Sequence, residues 1–165
     1  MEQQNNVDNL LTNPANPEAP LVSIIVITYN SAKYVVETLE SAKAQTYRDI
    51  ELIISDDCSS DDTVEICKNW MTDNLERFVR TELITFDHNT GISSNCNRGL
   101  TAAKGEWVKF IAGDDVLLDK CIGLNINYVK KHSEIEVLHS DVILKYDHCK
   151  AEAKNSSDRT KILFS

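Results

Sequence analysis

The sequence predicts an α/β fold, a mostly parallel sheet with helices on both faces, and three observations carry that expectation. Strand-like and helix-like stretches alternate about five times from Leu21 to Tyr146 with no internal repeat, the pattern of successive crossover units. The first run, Leu21 to Thr28, is too continuously apolar for a sheet with one wet face, so it reads as a central strand covered on both sides. Three runs also stop at polar or acidic residues: Thr28-Tyr29-Asn30, Asp56-Asp57 and Gly113-Asp114-Asp115. The carboxyl ends of parallel strands share one edge, and open sheets bind ligands there.

In order along the chain, Met1 to Pro20 is rich in Asn, Gln, Glu and Pro and reads as a flexible leader (residues 1–19) before a single domain over 20–165. After the first strand, Val35, Val36, Leu39 and Ala42 lie at helical spacing within Ala32 to Ala44. The second strand is Ile50 to Ser55. The next helix, capped by Ser60 or Asp61, carries Val64, Cys67 and Met71 on one stripe. A weaker third strand spans Thr81 to Phe86, and the helix from Ile92 or Ser93 to Ala103 stops at Lys104-Gly105. Trp107 to Ala112 is the fourth strand and Leu118 to His132 the fourth helix. Glu136 to Tyr146 reads as a fifth strand.

Charge and cysteine usage narrow the function classes. The 165 residues carry a formal net charge of -9, which disfavours a phosphate-tracking surface for DNA or RNA. An anionic ligand then needs a local cation or backbone amides. The 5 cysteines include no Cys-x-x-Cys pair, so neither a disulfide framework nor a zinc knuckle is indicated, and a reducing cytoplasm is the expected compartment. No stretch approaches ~18 apolar residues, and the amino terminus lacks the basic and apolar regions of a signal peptide.

The sharpest chemistry lies at Gly113-Asp114-Asp115. Adjacent carboxylates repel each other unless solvent, a donor or a cation relieves them, and a hard divalent cation with oxygen ligands does this well. The plain alternative is a loop with a helix-capping aspartate. Elsewhere Asp56 reads as an acceptor within its own turn, Asp61 as a helix cap, and His88 as an exposed loop histidine. His132, His139 and His148 have no metal-site spacing.

Four segments together resemble family 2 glycosyltransferases of the Rossmann-like GT-A fold. They are Val22 to Asn30; Gln45-Thr46-Tyr47 before Glu51 to Asp61; Asn89-Thr90-Gly91 leading to Asn97-Arg98-Gly99; and Ala103 to Trp107 before Gly113-Asp114-Asp115. The resemblance covers Pro20 to about Asp141 and implies an inverting transfer from a nucleotide-diphosphate sugar, UDP-sugar first, using Mg²⁺ or Mn²⁺. It implies that Thr28, Tyr29, Asn30 and Asn97 line the donor site and that Asp57 accepts a hydrogen bond from the base. Asp114 would lie near the ribose or metal, and Asp115 on the metal. The implied acceptor is a saccharide or lipid-linked saccharide in surface polysaccharide synthesis, with peripheral membrane association compatible with that role.

Two departures stand out. Cys96 occupies the place where the family often has Arg, and Arg98, two positions along a helix, does not automatically replace it. The catalytic base expected in the acceptor-binding half is not found: Asp141 is expected to line the site, not to deprotonate the acceptor. The expectation is therefore a donor-binding part truncated before the acceptor half. The alternatives are a non-catalytic nucleotide-sugar-binding module and, less compatible with the order of motifs, a phosphoryl-transfer or receiver domain. A receiver wants its acid pair after the first strand, where this chain has Thr28-Tyr29-Asn30.

Overall fold

The computed structural model describes residues 19–140, 142 and 143. Its sheet has four parallel strands, β1 (Val22–Thr28), β2 (Ile50–Asp56), β3 (Arg80–Thr85) and β4 (Trp107–Ala112), in the order β3-β2-β1-β4. The two central strands are the most fully buried, as cover on both faces requires, while the edge strands β3 and β4 are largely half-exposed. Ile24, Ile25, Leu52 and Ile53 are fully buried, each stabilising the fold by roughly 1.5–3 kcal/mol relative to exposure.

Helices cover both faces. On one, Val35, Leu39 and Ala42 of α1 (Val35–Lys43), Cys67, Trp70 and Met71 of α2 (Thr63–Asn74), and Ile122, Ile126 and Val129 of α4 (Cys121–Val129) form one apolar cluster with Val22, Ile24 and Val26 of β1 and Ile50, Leu52 and Ile54 of β2. On the other, α3 (Ile92–Ala102) packs over β1 and β2. Gly99 permits that approach, because a Cβ there would stand 2.4 Å from the stiff, buried Ile25 Cγ2.

The amino ends of the strands are tied by one buried carboxylate. Glu51 Oε1 accepts hydrogen bonds from Ser23 Oγ (2.6 Å), Lys104 N–H and Gly105 N–H (3.0 Å), and Oε2 accepts one from Arg80 Nη1 (2.9 Å). With Glu106 N–H bonded to the Leu21 carbonyl at 2.9 Å, these bonds set the register of β4 on β1, and so decide which β4 residue ends the strand. Gly105 is required here, since a Cβ would meet Ser23 N at 2.6 Å and the Leu21 carbonyl at 2.9 Å, both rigid backbone atoms. Gly105→Ala is expected to destabilise the domain by about 1–3 kcal/mol in denaturant titrations, the usual cost of overpacking.

Three elements differ from the sequence reading. Helix α1 begins at Val35, not Ala32, because the Ser31 carbonyl closes a turn on the N–H groups of Tyr34 and Val35. Helix α4 begins at Cys121, not Leu118, the Leu118 carbonyl accepting the Cys121 N–H. The expected fifth strand does not form over 136–140, 142 and 143; a short apolar stretch becomes a strand only where it finds a pairing edge, and β4 pairs only with β1 among the described residues. Asp141 and residues 144–146 of that expectation, like residues 1–18 of the leader, lie outside the described residues.

Candidate functional site

Strand order decides where a ligand can sit. The chain moves outward from β1 through β2 to β3, then crosses back over α3 to place β4 on the other side of β1, so the order reverses between β1 and β4. Such a reversal opens a crevice beyond the carboxyl ends of the strands. Asp57 N–H bonds the Thr28 carbonyl (3.0 Å) and Gly113 N–H bonds the Ile27 carbonyl (2.9 Å), so the loops after β2 and β4 flank the end of β1. Strand spacing puts those two backbones about 10 Å apart. A Cβ on Gly113 would stand 2.8 Å from Ser31 Oγ and 2.9 Å from Thr28 Cγ2, which shows how closely the β4 loop lies against the β1 loop. The three strand-end motifs thus share one rim.

The loops after β1 and β2 are joined into one unit. Thr28 Oγ1 donates to Asp56 Oδ2 (2.8 Å), and Ser59 donates to both oxygens of Asp56. Asn30 adopts φ 51°, a left-handed conformation that asparagine tolerates. Its N–H donates to Ser59 Oγ (2.8 Å) and its Oδ1 accepts from Ser60 N–H (2.8 Å). Asp61 accepts from Thr63 N–H and Oγ1 and from Ala32 N–H, and so ties the turn before α2 to the β1 loop; it is not the helix cap expected from the sequence, because Asp62 takes the N-cap position and no side-chain bond caps the helix. Tyr29 stays 52% exposed at the rim.

Asp57 faces α3 and is 2% exposed. Oδ1 accepts from Thr90 Oγ1 (2.7 Å) and Arg98 Nη2, and Oδ2 from the N–H groups of Thr90 (3.0 Å) and Gly91 (2.7 Å). Burial alone would raise its pKa, but the bonds from Thr90, Arg98 and Gly91 outweigh it and lower the pKa to about 2. A depressed carboxylate pKa contributes stability that is fully present above the unfolded value and lost as pH falls through the folded one. Asp57→Asn should therefore unfold more easily than the parent chain at pH 7, with the gap closing between about pH 4 and pH 2. Circular dichroism across that range checks it.

The Asp57 cluster contains one residue the sequence reading passed over, Asn95. Asn95, buried on the sheet side of α3, donates to the Thr28 carbonyl (3.3 Å) and accepts from Arg98 through Oδ1 (3.3 Å), whereas Asn97 is exposed and lines a groove with Phe86, His88 and Arg98. The available signal was spacing: Gly91, Asn95 and Gly99 recur every fourth residue, which puts a polar side chain on the helix face that meets the sheet. Arg98 brings a guanidinium to Asp57 although Cys96 stands at the family's Arg position, and it stacks 4.6 Å from the Phe86 ring centroid. His88 is exposed and pairs with Asp87 at 2.6 Å.

Asp114 and Asp115 are different in kind. Both are exposed, and neither side chain has a partner among the described residues, while Asp56, Asp57 and Asp61 are all occupied by hydrogen bonds. Their loop is held from behind: Leu117 N–H donates to Ser41 Oγ (3.0 Å), and Gln45 bonds the Leu118 carbonyl (2.9 Å) and the Ile122 N–H (3.1 Å). This gives Gln45 a structural task. No cluster of three or more His, Cys, Asp or Glu occurs among the described residues. Asp114 and Asp115 are the two exposed carboxylates that could hold a hard divalent cation, with a ligand's phosphate oxygens and water completing its shell.

Comparison with known proteins places this geometry. The sequence profile described as Glycosyl transferase family 2 matches residues 23–155. The glycosyltransferase GlyG of Streptococcus pneumoniae is 37% identical over 103 residues, covering 62% of this chain and 33% of that protein. Among solved structures, S. aureus TarS 1-349 in complex with UDP-GlcNAc superposes with a TM-score of 0.62 at 29% identity, over 68% of this chain and 32% of that one. The mannosyltransferase PcManGT from Pyrobaculum calidifontis, in complex with GDP-Man and Mn²⁺, gives 0.61 at 28% identity, over 69% and 32%. The chain thus spans about a third of the length of these relatives. On the profile match, with an α/β sheet that superposes on GT-A enzymes, the chain belongs to glycosyl transferase family 2.

Proposed function

We propose that this chain is the donor-binding part of an inverting glycosyltransferase, and that its rim holds a nucleoside-diphosphate sugar, UDP-linked first, through a divalent cation. The observation that carries this reading is the pair Asp114 and Asp115, exposed and without side-chain partners among the described residues, at the strand-order reversal beside the ends of β1 and β2. Asp115, with Asp114 beside it, would hold Mg²⁺ or Mn²⁺. When bound, that ion neutralises charge on the departing diphosphate as a Lewis acid. Support comes from the UDP-GlcNAc complex of TarS and the GDP-Man and Mn²⁺ complex of PcManGT, proteins to which this chain is similar.

The remaining residues recognise and orient. Thr28 and Asn30 hold the loop whose exposed Tyr29 offers a ring at the rim, Asp57 accepts an N–H from the base, and Asn97 stands at the outer side of α3. A charge-assisted hydrogen bond to a carboxylate is roughly twice as strong as a neutral one. Inverting transfer needs a base on the acceptor hydroxyl, and we assign none among the described residues. The acceptor we propose is a saccharide or lipid-linked saccharide of a surface polymer, reached from the cytoplasm. Among the described residues no helix is long and apolar enough to cross a membrane.

Isothermal titration tests the reading. UDP is expected to bind in the presence of Mn²⁺ and to lose most of its heat in EDTA. Absence of heat with UDP, GDP and CDP alike, with and without metal, would contradict it. Release of UDP from a UDP-sugar by the chain would separate an enzyme from a pure binding module.

A further inference from the structure

Asp57 offers about four lone-pair positions to hydrogen-bond donors, and four donors already reach them: Thr90 Oγ1 and Arg98 Nη2 on Oδ1, the N–H groups of Thr90 and Gly91 on Oδ2. A base N–H therefore cannot be added to this carboxylate. It can only replace something.

The four donors are not equally replaceable. The two backbone N–H groups are fixed by the turn into α3, where Gly91 adopts φ 84° and its carbonyl accepts the Asn95 N–H. Arg98 Nη2 is an ion-pair partner in a side chain also held by Asn95 Oδ1 and by the Phe86 ring. Thr90 Oγ1 is a neutral hydroxyl on one rotatable bond, and it does two things at once: it donates to Asp57 Oδ1 at 2.7 Å and accepts from Arg98 Nη1 at 2.7 Å. Moving that hydroxyl frees one acceptor position on Asp57 and one N–H on Arg98 side by side.

We propose that the Thr90 hydroxyl is a stand-in for the base edge, and that a donor base binds Asp57 by displacing it. The vacated pair, a carboxylate oxygen next to a guanidinium N–H, is complementary to an N–H flanked by a carbonyl. Uracil and guanine present that edge. Cytosine and adenine place a bare ring nitrogen there. Thr90 and Arg98 are thus specificity-determining residues for the donor base, and the exchange lowers affinity by the strength of the bonds it gives up. This inference rests on the proposed reading of Asp57 as the base acceptor.

The test compares the parent chain with Thr90→Ala and Thr90→Ser by titration with UDP, CDP and UDP methylated at N3, all at saturating Mn²⁺. Removing one hydrogen bond to a charged group that must be broken corresponds to about a tenfold gain. Thr90→Ala is expected to bind UDP about tenfold more tightly, with no gain for CDP or the methylated ligand, while Thr90→Ser behaves as the parent. A gain confined to UDP cannot come from general loosening of the turn. UDP binding that is unchanged or weaker in Thr90→Ala, with the parent still preferring UDP to its methylated form, would overturn the exchange and leave the Asp57 reading standing. A parent chain that binds UDP and methylated UDP equally would overturn both.

Discussion

Glu51→Gln is expected to cost about 3–5 kcal/mol of folding stability, the range found when one member of a buried ion pair is removed. Glu51 has no exposed surface, and its carboxylate serves four donors from Ser23, Arg80, Lys104 and Gly105. A glutamine of the same shape keeps one carbonyl oxygen and points an NH₂ at donors that still need an acceptor. Burial raises the Glu51 pKa, but the bonds from Ser23, Lys104, Arg80 and Gly105 more than reverse this and leave it below the ordinary value. Its contribution is therefore present above that ordinary value and fades as pH falls through the folded one. Arg80→Met should cost less, because Arg80 is partly exposed and three donors to Glu51 remain. Denaturant midpoints decide the matter. A Glu51→Gln cost below that of Arg80→Met would mean that the carboxylate does not hold the strands in register.

Asp115→Ala is expected to weaken Mn²⁺-dependent UDP binding on the order of 100-fold, since a hard cation that keeps only one or two protein carboxylates depends on each of them. Stability should change by less than about 0.5 kcal/mol, because the side chain is exposed and unpartnered among the described residues. Asp61→Ala is the contrasting variant: it removes the acceptor for Thr63 and Ala32, so it should cost about 1 kcal/mol or more as lost hydrogen bonds in the turn before α2 while metal dependence survives. Loss of metal-dependent binding in Asp61→Ala but not in Asp115→Ala would put the cation elsewhere. Urea titration and calorimetry on the same preparations read both effects.

Much of the fold was legible because its signals are local. The run from Trp107 to Ala112 announces β4 by its bounds and composition, and Asp56-Asp57 and Gly113-Asp114-Asp115 mark strand ends by breaking apolar runs. That these motifs share a rim follows from parallel topology alone. What stayed hidden depends on partners far away in sequence. Glu51 reads as an interruption in an apolar strand, and nothing near it shows that Ser23, Arg80 and Lys104 converge on its carboxylate. Likewise Asp57 and Asp115 look alike as acids after strands, yet one is filled by the loop into α3 and the other is left exposed. Arg98 could not be weighed against Cys96 from helical geometry alone, because a long side chain from the second half of α3 reaches across to the loop after β2. Over 136–140, 142 and 143 composition suggests a strand that does not form, since β-propensity carries no information about whether an edge is within reach.

The most direct test of a single rim that grips a metal-bound diphosphate is paramagnetic broadening by Mn²⁺ in the ¹⁵N spectrum of the full chain, with and without UDP. The account predicts that substoichiometric Mn²⁺ with UDP broadens the amides of Gly113 to Val116 and of Thr28 to Asn30 together, leaving Lys104 and Gly105 at the opposite end of the sheet sharp. Broadening centred away from Asp115, or the same pattern in Asp115→Ala, would contradict it.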